Sequence, residues 1–255
     1  MNLSWRHALS VWRRNATMYR RTWRWNILPN FFEPVLYLVS LGVGLGAYIT
    51  TMGGTSYIQF LAPGLVCVAA MNGASFEVTY NIFVRMNIEK AYDAMLTTPI
   101  QPVDVVAGEL LWAMTRSCVY GLCFVIVVTV AGLAPLPQAL WVLAVIPLTG
   151  FLFSAIGLAF TLRIATIELY SFYFTLFLTP LFLFSSVFFP LEERLSASWL
   201  WVAECLPLLH PVRLARAAFH GQPSATLIWD VVYILGLSTA LVAYATRLMQ
   251  RKLTQ

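Results

Sequence analysis

Six stretches of mostly apolar residues punctuate the chain, at about 31–49, 58–82, 107–131, 139–162, 168–189 and 226–248. A hydrocarbon core about 30 Å thick is crossed by roughly 20 helical residues, so each stretch predicts one membrane-spanning helix. Two of the intervening segments are short and uncharged: 50–57 is rich in Gly, Thr and Ser, and 132–138 carries two prolines. Both predict tight turns. No segment outside the apolar stretches is long enough for a core of its own. The pattern predicts an all-α integral membrane protein with a single membrane domain over 1–255: an interfacial part at 1–29, spans one to five over 31–189, a segment at 190–225 and span six at 226–248.

Composition agrees with that pattern: 60% of the 255 residues are hydrophobic and 11% are charged, against about 25% charged in soluble domains. The formal net charge is +5. Nucleic acid is a poor explanation for it, because Arg6, Arg13, Arg14, Arg20, Arg21 and Arg24 crowd a head segment without an acid, a pattern suited to anionic lipid headgroups. Basic residues also orient the bundle, since Lys and Arg are retained on the cytoplasmic side. With the amino terminus inside, twelve of them fall inside and three outside, so both termini are expected in the cytoplasm. The four cysteines, Cys67, Cys118, Cys123 and Cys205, form neither a CxxC pair nor a zinc cluster, and read as free thiols. The head segment lacks the apolar core and cleavage site of a secretory signal, and no internal repeat or low-complexity tract is evident.

Three segments between or before the spans carry functional signals. In the head, Trp5, Ala8, Leu9, Trp12, Ala16, Tyr19 and Trp23 recur at helical spacing, with Arg6, Arg13, Arg20 and Arg24 largely on other faces. This predicts an amphipathic helix in the membrane plane, its tryptophans at headgroup depth and its arginines on lipid phosphates or an acidic partner. The longest inner loop predicts an exposed helix over 85–96, with Ile88, Tyr92 and Met95 on one face, the charges Glu89, Lys90 and Asp93 elsewhere, and a stop at Thr97-Thr98-Pro99. Such a helix would pass force from a partner to both adjoining spans. On the outer side Pro190, Pro207 and Pro211 cut about 35 residues into two pieces too short to span. Trp199 and Trp201 would hold the first piece at the interface, giving a re-entrant pair.

Glu33, Glu77, Glu109 and Arg116 are ionisable residues inside the spans, where an unpaired charge costs roughly 2.5–3.5 kcal/mol. Glu109 and Arg116 lie two helical turns apart on one face, and Glu77 can join their stripe from the neighbouring span. The pairing is either structural or a substrate-entry path. The chain has no GxxxxGK[ST] phosphate loop, since neither Lys90 nor Lys252 follows a glycine, and no HExxH or GxSxG motif. Energy for any active transport must come from elsewhere. The alternatives are a proton-coupled secondary transporter using Glu77 and Glu109, and a membrane enzyme acting on lipid, for which the Asp, His or Cys cluster is missing.

At FLAPGL (60–65), at the inner-loop helix ending in LTTPI, at FFPLEERL and at LPLLHPVRLAR, the sequence resembles type-2 ABC exporter permeases, and within them the branch that exports the lipo-oligosaccharide nodulation factors. The likeness extends through EPVLYLVSLGVGLG and FEVTYNIFVRM over nearly the whole chain. It implies two six-span permeases, here two copies of this chain, working with two ATP-binding subunits in the bacterial inner membrane. It also implies an amino-terminal interface helix (Trp5, Trp12, Arg13, Tyr19, Arg20), and a coupling helix for the ATPase (Glu89, Lys90, Tyr92, Asp93, Met95, Leu96). An outer re-entrant segment (Glu192, Trp199, Trp201, Pro207) would precede the sixth span. ATP and Mg would be used by the partner ATPase and no cofactor held by this chain, which would not itself be an enzyme. The cargo implied is amphipathic: a lipo-oligosaccharide, a lipid-linked glycan or a hydrophobic drug.

Overall fold

The computed structural model describes residues 3–49, 51–52, 54–133, 135–164, 166–191, 197–221 and 224–253. The described chain is an all-α bundle whose one sheet is a two-residue antiparallel pairing of Thr51–Met52 with Thr55–Ser56, turned at Gly54 with φ +79. Its helices are α1 (Trp5–Gly44), α2 (Tyr57–Ile88), α3 (Ala91–Leu96), α4 (Pro102–Val130), α5 (Leu136–Thr161), α6 (Ile167–Phe184), α7 (Ala197–Glu204), α8 (Leu209–His220) and α9 (Leu227–Leu253). Of these, α2, α4, α5, α6 and α9 are long and apolar enough to cross a membrane. The chain is a multi-pass membrane protein.

The first expected span differs from the others. The interfacial part and the span are one continuous helix, α1, and among the described residues Val35–Ala47, which includes the 3-10 turn after α1, forms an apolar stretch. The fifth expected span, α6, ends at Phe184 rather than 189, in a bend where Ser186 takes a left-handed φ of 59. Pro211 does not cut the outer segment as expected. It lies in the first turn of α8, where a missing N–H leaves no bond unmade.

The centre of the bundle is α2, buried on nearly all sides between α4, α5 and α8. Its sequence explains this position: Gly64, Ala69, Ala70, Gly73 and Ala74 keep it slim, and small residues let membrane helices approach closely. At Gly73 a Cβ would stand 2.4 Å from the Tyr120 ring and 3.2 Å from Ser117 Cα. The turn from α4 to α5 is closed by Gly132 at φ +70, with the Gly132 and Leu133 N–H groups returning to Thr129 and Val128 carbonyls. Glycine suits that left-handed helix end.

Two ends of the bundle can be told apart. One, the basic end, gathers the start of α1, the end of α2, α3, the start of α4 and the Arg- and Lys-bearing end of α9. The far end gathers the small hairpin, the α4–α5 turn, α7 and α8.

Candidate functional site

The basic end is assembled on Asp104, which sequence reasoning passed over. As the third residue of α4 it accepts the Gln101 N–H at 3.0 Å, capping its own helix, and the Ser4 N–H at 2.8 Å, capping the start of α1. His7 Nδ1 lies 3.2 Å from the same carboxylate, which is fully buried. Its signal was readable as a capping box, Gln-Pro-x-Asp opening an apolar run.

From that staple α1 lies along α4. Ala8, Val11 and Asn15 face inward, and Gly108 admits them: a Cβ there would stand 2.6 Å from Val11 Cβ and 2.7 Å from the Ala8 carbonyl oxygen. Trp12 donates Nε1–H to Thr115 Oγ1 at 2.9 Å, and Trp12 and Tyr19 both pack edge-on against Trp112. These two aromatics therefore pack α1 against α4. Trp5, Arg13 and Arg20 stay exposed.

Glu77, Glu109 and Arg116 come together, but the pairing differs from the expected Glu109–Arg116 contact. Arg85 is the bridge: it donates to Glu109 Oε2 at 2.6 Å and to Glu77 Oε1 at 2.5 Å. Arg116 donates to Glu77 Oε2 at 3.2 Å and to the Tyr120 hydroxyl, with its guanidinium 4.2 Å above the Tyr19 ring. Asn15 of α1 adds a bond to Glu109 Oε2 at 3.0 Å, and Asn81 one to Glu77 at 2.8 Å. Four charges of two signs thus neutralise one another where desolvation costs roughly several kcal/mol per ion. Two π-helical turns, Glu77–Asn81 and Val84–Ile88, widen α2 here. The wider turn brings residues four apart toward one line, so Glu77, Asn81 and Arg85 work as one edge. Arg85 had been counted only as a loop charge, though its position eight residues after Glu77 was a signal. Asn15, among arginines, gave none.

Beside this quartet a cleft of about 220 Å³ opens between α1, α2 and α4, with Arg14, Tyr19, Asn81, Glu89 and Trp112 in its wall. Arg14 and Glu89 face each other across it at 3.5 Å.

The expected helix over 85–96 is broken. α2 runs on to Ile88, Lys90 takes a left-handed conformation (φ 49, ψ 34), and α3 is six residues long. Glu89, Lys90 and Asp93 are exposed, Met95 and Leu96 half-buried. Tyr92, expected on an exposed helix, is instead fully buried, in a cluster with Ile82, Val105, Leu110, Leu158 and Met249 from α2, α4, α5 and α9. Burial, then the neighbouring Glu109 charge, push its phenol well above the usual range, so it stays a hydrogen-bond donor.

At the far end α7 and α8 are tied to α9. His210 Nδ1 lies 2.7 Å from Asp230 Oδ1, and its Nε2 3.0 Å from the Glu204 carbonyl oxygen. Arg213 donates to Asp230 at 3.1 Å and to the Glu204 carboxylate. The Tyr233 ring stacks on His210 at 3.8 Å. Glu204, His210 and Asp230 have metal-ligand spacing, but Arg213 already holds both carboxylates and both imidazole nitrogens are engaged, so the geometry is an ion-pair clasp. Arg216 fixes the bend after α6, donating to the Ser186 carbonyl at 2.5 Å with Phe60 beneath it at 4.0 Å. Trp199 and Trp201 are exposed on α7, and Pro207 is buried in the α7–α8 turn. Glu192 lies outside the described residues.

Comparison with known proteins adds an independent line. Residues 6–220 match the family model described as ABC-2 type transporter. The chain is 34% identical over 251 residues to Nodulation protein J of Rhizobium leguminosarum bv. viciae, covering 98% of this chain and 95% of that protein. It is 33% identical over 245 residues to Nodulation protein J of Sinorhizobium fredii, covering 96% and 93%. It is 26% identical to the Inner membrane transport permease YadH of Escherichia coli, covering 98% of this chain and 97% of that protein. An all-helical multi-pass bundle, a family match over most of its length and near-complete alignment to these relatives place the chain among the permeases: it belongs to the ABC-2 type transporter family.

Proposed function

We propose that the chain is the membrane-spanning subunit of an ATP-driven exporter, working as two copies with two copies of a separate ATPase that uses ATP and Mg. The observation that carries this reading is α3: a short helix at the basic end, offering Glu89, Lys90 and Asp93 to a partner while Tyr92 reaches among four long helices. A helix so placed receives force on one face and delivers it on the other. The lack of a phosphate loop in a chain that aligns with nearly the whole of its relatives supports an ATPase on another polypeptide. The basic end then faces the cytoplasm, a reading supported by the distribution of Lys and Arg, in the inner membrane of a bacterium.

The cargo is amphipathic. A second cleft, about 180 Å³ between α2 and α6, combines Phe76, Phe174 and Phe182 with Asn72, Thr175 and Thr179, a wall suited to an acyl or aromatic body with a polar head. Cargo enters beside the buried quartet, whose charges are engaged with one another and shape that entrance. Two of the relatives named above carry the name of nodulation, and a lipo-oligosaccharide suits both clefts in kind. ATP binding closes the partner subunits, moves α3 and opens the far end, so that binding at one site biases a two-state bundle at another.

The test is co-purification. Asp93→Lys combined with Lys90→Glu should release the ATPase while leaving the permease in the membrane. ATP-independent cargo export by the permease reconstituted alone would refute the proposal.

A further inference from the structure

At the seam between α3 and α4 two buried polar atoms lack a hydrogen-bond partner among the described residues: the Tyr92 hydroxyl and Glu109 Oε1. One is a donor and the other an acceptor, and their side chains already act on one another, and on Arg85, through charge and hydrogen bonding, although neither of the two atoms has reached full hydrogen-bond geometry. A buried group left unpaired costs roughly 1–3 kcal/mol, so each has reason to find the other. The helix that carries Tyr92 also has a pivot. Lys90 is left-handed, and α2 above it ends in a π-helical turn, a feature frequent at functional sites.

We propose that Tyr92 is the positioning residue that carries displacement of α3 into the buried quartet, its hydroxyl donating to Glu109 Oε1 when α3 is pushed toward the bundle. Glu109 Oε2 is already shared by Arg85 and Asn15. A third donor on this carboxylate competes with Arg85 for its charge, loosens Arg85 from Glu109 and shifts the guanidinium toward Glu77, on the central helix. The same carboxylate ties in α1 through Asn15, so one hydroxyl addresses three elements at once. This inference rests on the reading of α3 as the ATPase-docking helix.

The experiment uses the full permease–ATPase complex in lipid nanodiscs, with hydrogen exchange of the far-end segment 197–220 measured with and without ATP and Mg. In the wild type, ATP should change exchange there severalfold. Tyr92→Phe, which keeps the ring and the packing, should retain ATPase recruitment and ATP hydrolysis within about twofold yet lose at least two thirds of that ATP-driven change. Tyr92→Leu should be no worse in the far-end response than Tyr92→Phe. If packing alone mattered, Phe would rescue and only Leu would fail; a wild-type response from Tyr92→Phe therefore overturns the hydroxyl's role while leaving α3 as the docking helix. A wild-type permease that neither recruits the ATPase nor responds to ATP overturns the docking reading, and this inference with it.

Discussion

Glu77 is the residue on which the basic end balances, because Arg85, Arg116 and Asn81 all point at it. Glu77→Gln leaves two buried guanidiniums short of negative charge, and removal of one partner of a buried pair costs roughly 3–5 kcal/mol. Thermal unfolding of the purified permease should reveal this as a large drop in stability. The double change Glu77→Gln with Arg116→Gln should recover a substantial part of it, whereas simple addition of two losses would show that the charges are not coupled. A proton carrier built on Glu77 would instead tolerate the single change structurally and fail only in transport. Lys90 poses a smaller question of backbone strain. An L-residue held left-handed costs about 1–2 kcal/mol, so Lys90→Gly should increase amide protection in α3, and Lys90→Val, β-branched at positive φ, should reduce it.

Among the elements, α1 depends on a single glycine for its seat. Any side chain at position 108 collides with the Ala8 carbonyl oxygen and Val11, so Gly108→Val should lift the head of α1 from α4. Limited proteolysis between residues 5 and 25 would register it, and unchanged resistance would mean that Asp104 alone holds the helix. The hydrophobic pattern located the long helices well, because a run of twenty apolar residues has few structural alternatives in lipid. It divided α1 into an interfacial part and a span, whereas the two are one continuous helix, because hydrophobic patterning marks a change of environment and not a break in the backbone. It misjudged Tyr92 because a six-residue helix has too few positions for periodicity to say which side faces the bundle. Three of the quartet's four members were legible. Glu77, Glu109 and Arg116 stood out as charges in apolar runs, whereas Arg85 and Asp104 looked like loop residues until the folded chain brought them inward.

Across the whole molecule, the ionic groups are concentrated at two levels, the quartet at one end and the His210–Arg213–Asp230 clasp at the other, with an apolar core between. The clasp ties α7 and α8 to α9. Asp230→Asn should free α7 and α8, visible as amide exchange in 197–220 faster by about tenfold, equivalent to a local opening cheaper by roughly 1.4 kcal/mol; unchanged exchange would place the restraint in the Arg216–Ser186 contact. The two levels differ in one further respect. Glu77, Glu109, Arg85 and Arg116 sum to zero, and a membrane voltage does work only on net charge displaced along it, about 2.3 kcal/mol per elementary charge for each 100 mV. If these four side chains travel together, the electric field across the bilayer neither drives nor resists their movement.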